Sequence, residues 1–184
     1  MPYRLALHPV DSRWRPAEPV ALTAVLRDIG LIGAPWGAAA AGRYLIGEHF
    51  LQLVTFMGCA PAIELAPPDD GGAFCHVRVR VFEAPRLFVD ATGFNPRCPA
   101  CGRRSPQWKT ALPTWEQDPQ TPVPCPLCGE TLAAGALDFR HTAALASTFV
   151  EIHDIHPREA LPTDALFTAL ERAGGGRWNH AYLA

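Results

Sequence analysis

Two short turns constrain this chain more than anything else in its sequence. Cys98-Pro99-Ala100-Cys101-Gly102 recurs, after residues 103–124, as Cys125-Pro126-Leu127-Cys128-Gly129. Each half sets two thiols on one tight turn, and the glycine after the second cysteine lets the backbone take a positive φ. Backbone N–H groups in such a turn point toward the sulfurs. Facing each other, the two turns supply four sulfurs in the tetrahedral arrangement that zinc prefers, with Zn–S near ~2.3 Å. With Cys98, Cys101, Cys125 and Cys128 as ligands no position remains for water. The centre is expected to hold one structural, non-catalytic zinc ion per chain.

The doubled motif resembles a zinc ribbon of the C-P-x-C-G type over about residues 95–132, and the resemblance extends no further along the chain. Rubredoxins share these knuckles and hold iron, which is the alternative ion. They place an aromatic residue just after the first C-x-x-C-G, however, where this chain has Arg103. Neither pair opens a helix after a strand, as a thioredoxin-like redox motif would. Cys59 and Cys75 lie in apolar, strand-like segments and read as buried small hydrophobes, not as a disulfide framework. The module has few apolar residues besides Trp108, Leu112 and Trp115, so it is expected to unfold without metal.

Around this module the chain reads as α+β. Its 184 residues, 48% hydrophobic, suffice for one domain with an insertion. The expected division is an α+β domain over 1–92 and 134–184, with an inserted module at 93–133. Strands are expected over Arg4 to His8, Arg43 to Ile46, Phe50 to Phe56, Ser147 to Ile155 and Arg177 to Leu183. The clearest is Phe74 to Phe82, where Cys75, Val77, Val79 and Val81 alternate with His76, Arg78 and Arg80. That pattern predicts an antiparallel sheet with one buried and one mostly wet face. Gly30 to Gly42 reads as irregular. Leu22, Val25, Leu26 and Ile29, and again Leu166, Ala169, Leu170 and Ala173, fall at the spacing of two short amphipathic helices, each ended by glycine. Strand, His-Pro, loop, helix and glycine thus recur at both ends, which suggests the two halves of a ferredoxin-like sandwich.

The function classes narrow mainly by exclusion. A net charge of −2 argues against a protein coated for nucleic acid. The Arg-rich composition, with Lys109 as the only lysine, reads as the codon choice of a GC-rich, bacterial genome. No signal-peptide pattern opens the chain and no apolar stretch reaches a membrane span, so a cytoplasmic protein is expected. Phosphate-loop, nucleophile-elbow and H-E-x-x-H templates are missing, and Gly174-Gly175-Gly176 follows a helix, so it caps and does not cradle phosphate. Arg97, Arg103, Arg104 and Lys109, with Trp108 between them, form a candidate nucleic-acid contact of cations and a stacking ring. His153 and His156 flank a carboxylate but face opposite sides of a strand. His49, His76, His141 and His180 are scattered. The five tryptophans read as loop residues at sheet edges or binding spots. The leading expectation is a non-enzymatic, zinc-stabilised protein that binds another protein. Nucleic-acid binding is the second reading, and an enzyme built from His76, Arg78 and Arg80 on the wet face the third.

Overall fold

The computed structural model describes residues 3–37, 42–57, 63–69, 71–90, 92–156 and 159–184; Cys59 and Pro157 lie outside them. The first helix, α1 (Pro19–Asp28), starts with a proline, whose fixed φ suits the opening turn. The last, α4 (Asp164–Ala173), starts at Thr163, whose hydroxyl accepts the Leu166 N–H. Leu22 and Leu26 of α1 and Leu166 and Leu170 of α4 are at most 1% exposed. Each contributes about 1.5–3 kcal/mol by burial. They pack on Leu5 and Leu7 of β1 (Arg4–Pro9), Val77 of β5 (His76–Val89), and Val150 and Ile152 of β8 (Ala143–His153).

These three strands share an antiparallel six-stranded sheet with β2 (Ile32–Pro35), β3 (Arg43–Ile46) and β10 (Trp178–Leu183), in the order β10-β1-β8-β5-β3-β2. With α1 after β1 and α4 after β8, the four strands β10-β1-β8-β5 have the order of a ferredoxin-like βαββαβ unit. The hairpin β2–β3 widens it beyond β5. The two ends are thus related in space: β1 and β8 are central neighbours, and α1 packs on α4. The His-Pro match is not part of that relation, since His8 and Pro9 lie within β1 while His156 lies beyond β8.

Two local expectations are corrected. Gly30 to Gly42 is not irregular throughout, because Ile32–Pro35 forms β2. Phe50 to Phe56 is not one strand: Phe50–Leu53 makes a single helical turn, α2, and only Val54–Phe56, β4, is extended. The turn is set by tertiary contacts, with the Leu53 N–H bonded to the His49 carbonyl and the Leu53 carbonyl taken by the hydroxyl and N–H of Thr163. β4 then pairs with β9 (Ala160–Pro162).

The β5–β8 hairpin positions everything that follows. It pairs from His76↔His153 to Val89↔Ala143, but between Val81↔Thr148 and Arg86↔Ala146 four residues of β5 oppose Ser147 alone. A bulge of this kind bends the strands. The outer half of the hairpin turns over the second face of the sheet, so that the Phe88 ring lies 5.1 Å from that of Phe149. At its tip the Tyr182 N–H of β10 bonds to the His141 carbonyl at 2.8 Å. Ala6, Ala144, Ala146 and Ala181 leave the room that Phe82, Phe88 and Phe149 occupy. The second face is not mostly wet: Arg80 lies under Phe82 and Phe88 and is half-buried, as is Arg78, and His76 is buried against Trp36, Phe74 and His153.

Between Val89 and Ala143 the chain makes its excursion into the cysteine module, and Asp90 N–H to Thr142 carbonyl (2.8 Å) ties entry to exit. The module contains a 3-10 turn at Pro106–Ala111, α3 (Leu112–Gln117), β6 (Val123–Pro124) and β7 (Thr131–Leu132). Its apolar centre, Phe94, Trp108, Trp115 and Leu137, continues into Leu87, Val89, Ala143 and Leu145 of the hairpin. Among the described residues no helix is long and apolar enough to cross a membrane.

Candidate metal centre

Both knuckles are built alike. The Gly102 N–H bonds to the Cys98 carbonyl (2.9 Å) and the Cys98 N–H to the Arg103 carbonyl (2.9 Å). The Gly129 N–H bonds to the Cys125 carbonyl (2.9 Å) and the Cys125 N–H to the Glu130 carbonyl (2.7 Å). Gly102 and Gly129 take φ of 67° and 77°, the left-handed turn that a residue with a Cβ resists. The four Sγ atoms lie within 4.8 Å of one another, and those of Cys98 and Cys128 are 3.9 Å apart. A tetrahedral ion with ~2.3 Å bonds to sulfur requires an edge of about 3.8 Å, so the four cysteines are placed to bind a metal ion.

The electrostatics agree. The Arg103 backbone N–H pulls the Cys101 thiol down to about 6. Cys128, although the Glu130 amide lowers it, is pushed up to about 12 by burial and by sharing its proton with the other sulfurs. Cys101 and Cys125 are thus held down and Cys128 up, the split expected of crowded thiols that a metal ion would deprotonate together. Arg103 Nη2 donates to the Leu127 carbonyl (2.8 Å), tying one knuckle to the other, and Arg97 Nε donates to the Gly102 carbonyl (2.7 Å). Beneath them Trp108 and Trp115 stack at 5.6 Å, with Trp115 Nε1 donating to the Thr121 carbonyl.

Of the suggested nucleic-acid contacts, Arg97, Arg103, Arg104 and Lys109 are exposed, but two of these guanidinium groups already serve the module's own carbonyls. Trp108 is 1% exposed and presents no ring for a base, because a module with so few apolar residues needs both tryptophans inside. The other tryptophans are not exposed either. Trp178 is buried, its Nε1 donating to the Gly174 carbonyl; Trp36 lies edge-on to Phe74; and Trp14 packs on Gly174 and Gly175, where a Cβ would come within 2.9 Å of its ring. The glycine run is thus a seat for Trp14. Cys75 is fully buried, and burial pushes its thiol up to about 12, as suits an inert core residue.

The bent hairpin gathers residues that the sequence leaves apart. Glu151 of β8 has no exposed surface. Arg80 Nη1 donates to its Oε1 at 3.2 Å, Arg4 Nε lies 3.2 Å from the same oxygen, and His153 Nε2 is 3.3 Å from Oε2. Burial alone would raise this carboxyl, but His153, Arg4 and Arg80 together hold it below the usual carboxylate range. His153 stacks on His76 at 4.8 Å, and His76 Nδ1 donates to the Phe74 carbonyl. His153 is therefore joined to His76 and Glu151, whereas His156 stays exposed. His76, Arg80, Glu151 and His153 thus form a packed network on the second face of the sheet. Glu151 was missed; its one trace in the sequence is a lone acid inside the apolar run Phe149-Val150-Glu151-Ile152.

A second convergence joins His141 to His180, whose rings stack at 4.2 Å, with His141 Nδ1 donating to the His180 carbonyl (2.7 Å). Burial pushes His180 and the nearby His8 down to about 4, so both are neutral at pH 7. Arg140 and His141 are consecutive left-handed residues, at φ 51° and 64°, a conformation costing about 1–3 kcal/mol each without glycine.

Comparison with protein-family models, with curated proteins and with solved structures gives no match.

Proposed function

We propose that this chain is a non-enzymatic interaction protein in which one structural zinc ion, held by Cys98, Cys101, Cys125 and Cys128 in a zinc-ribbon-like module, stabilises one wall of a groove for a partner protein. The observation that carries the reading is a cleft of about 670 Å³ lined by Ala84–Phe88 of β5, Trp115–Gln120 of the module, and Arg13. Pro85, Phe88 and Pro119 give it apolar surface. Glu116 and Asp118 from the module and Arg13 and Arg86 from the sheet domain also line it, a mixed polar set of the sort that surrounds apolar anchors in protein interfaces. Four thiolates favour zinc over harder ions, and with four ligands from the chain the metal has no position for a substrate. Its role is to keep α3 and the turn after it in place.

The reading is tested by capturing the tagged, metal-loaded protein from its host's lysate. A stoichiometric protein partner should survive nuclease and ~0.5 M salt, which screens phosphate contacts. It should be lost when Gln117 and Gln120, both exposed on the cleft wall, are changed to Arg. Recovery of RNA or DNA that Arg103→Ala with Arg104→Ala abolishes would overturn it in favour of the basic knuckle.

A further inference from the structure

Where the hairpin tip meets β10, two cavities share a wall. One, of about 520 Å³, is lined by Met57, Asp90, Arg140, His141, Leu161 and Tyr182 among others; the smaller, of about 190 Å³, lies beside His8, Asp138 and Asn179. Arg140, His141 and His180 line both. We propose that the larger cavity is a ligand site for a small organic anion with an apolar body, its charged group on the Arg140 guanidinium and its body against Met57, Leu161 and Tyr182.

The volume lies within the ~300–1,000 Å³ range of small-molecule sites, which are largely apolar with a few convergent polar groups. Among the described residues no carboxylate pairs with the Arg140 guanidinium. The nearby acids are engaged otherwise: Asp138 Oδ1 accepts the Arg140 backbone N–H, and Asp90 Oδ1 accepts both the N–H and the hydroxyl of Thr92. The cavity therefore holds a cation that its acids do not satisfy, and a guanidinium is the group best shaped to grip a carboxylate or phosphate through two parallel bonds. The imidazole of His180, which burial keeps neutral, adds polarity without charge. Met57, 61% exposed, sets an apolar side chain at the mouth. The loop is fixed in place against its own conformational preference. Thr142 Oγ1 donates to the Phe139 carbonyl, His141 Nδ1 to the His180 carbonyl, and Tyr182 N–H to the His141 carbonyl, and these bonds keep Arg140 and His141 left-handed with both side chains on the cavity. Backbone held this way clusters at ligand sites.

The test is an NMR titration of the metal-loaded full chain with benzoate, phenyl phosphate and benzamide, three molecules that share a ring and differ in the charge of the head group. Benzoate or phenyl phosphate should shift the resonances of Arg140, His141 and His180 saturably, and the tighter of the two identifies the preferred head group. Benzamide should bind roughly tenfold more weakly or worse, as expected when a charge-assisted pair is lost. Arg140→Gln, at an exposed position, should weaken the anion by a similar factor while leaving shifts elsewhere unchanged. Equal binding of benzamide and benzoate, unaltered affinity of the Arg140→Gln protein, or no saturable shift at this cavity from any of the three would each overturn the proposal.

Discussion

Four sulfurs at one end of this molecule and one carboxylate near its centre pose the same electrostatic problem, and the chain meets it in two ways. The sulfurs of Cys98, Cys101, Cys125 and Cys128 have backbone amides around them and one guanidinium, that of Arg103 beside Cys101, so a metal ion is the group placed to balance four thiolates. Glu151 is balanced from within by Arg4, Arg80 and His153. The first arrangement predicts a small, proline-rich module that is conditional on metal. The second makes the sheet independent of it.

The largest effect should come from removing the ion. Structural zinc contributes an apparent ~10–16 kcal/mol in small modules. Chelation, or Cys98→Ser, should therefore open residues 93–133 to protease while the circular dichroism of the sheet persists. Because Leu87, Val89, Ala143 and Leu145 share the module's apolar centre, the outer half of the hairpin should loosen with it. A module that resists protease without metal would break the comparison.

The reciprocal experiment is Glu151→Ala, which leaves two half-buried guanidinium groups facing each other. Removing one partner of such a pair costs about 3–5 kcal/mol, readable by urea denaturation. The zinc content should not change. A cost of under about 1 kcal/mol would mean that water reaches Arg4 and Arg80 and balances them in the carboxylate's place.

Acid sharpens the contrast. His8, 9% exposed, has its pKa pushed from 6.5 to about 4 by burial, so the unfolded chain takes up a proton that the folded one refuses. The stability this gives the neutral form is complete above pH 6.5 and is lost as the pH falls toward 4, by up to ~3 kcal/mol. Glu151, held below the carboxylate range, adds a further loss at lower pH as it protonates. His8→Gln should shrink the upper part of that profile by the share of His8, leave the share of His180, which is lowered alike, and leave the lower part in place.

The smallest expected change is a gain. Arg140→Gly relieves a left-handed residue and should raise stability by about 0.5–1 kcal/mol, net of glycine's greater freedom when unfolded. A lower melting temperature would instead show that the guanidinium supports the hairpin tip.

What the sequence disclosed and what it hid divide along the same physical line. Local patterns were legible: the paired knuckles, the leucine spacing of α1 and α4, and the alternation in the first half of β5. These depend on neighbours a few residues away. Phe50–Leu53 read as strand because its apolar run suits one, and only the distant Thr163 reveals the helical turn. Burial of Arg80 was invisible because its cover, Phe82 and Phe88, arrives through a bulge that no residue type announces, and that of His76 because Trp36 and His153 come to it from other elements. The same bend brings His141 to His180, while the register of β1, β8 and β5 sets Glu151 between Arg4 and Arg80. Charge pairing across strands far apart in sequence leaves no local pattern, whereas thiols meant for one ion must be grouped.

The place where the module is inserted has a consequence for the time course of folding. Val89 and Ala143 are partners on adjacent strands, with residues 90–142 between them. Joining them through an unstructured loop of that length costs roughly 3.5 kcal/mol in chain entropy. A folded module, whose Asp90 and Thr142 ends are already hydrogen-bonded, removes most of that cost before the sheet begins to form. Metal capture then acts as a nucleating event: β5 and β8, and with them the whole sheet order, should assemble faster when zinc is present during refolding than when it is added afterwards.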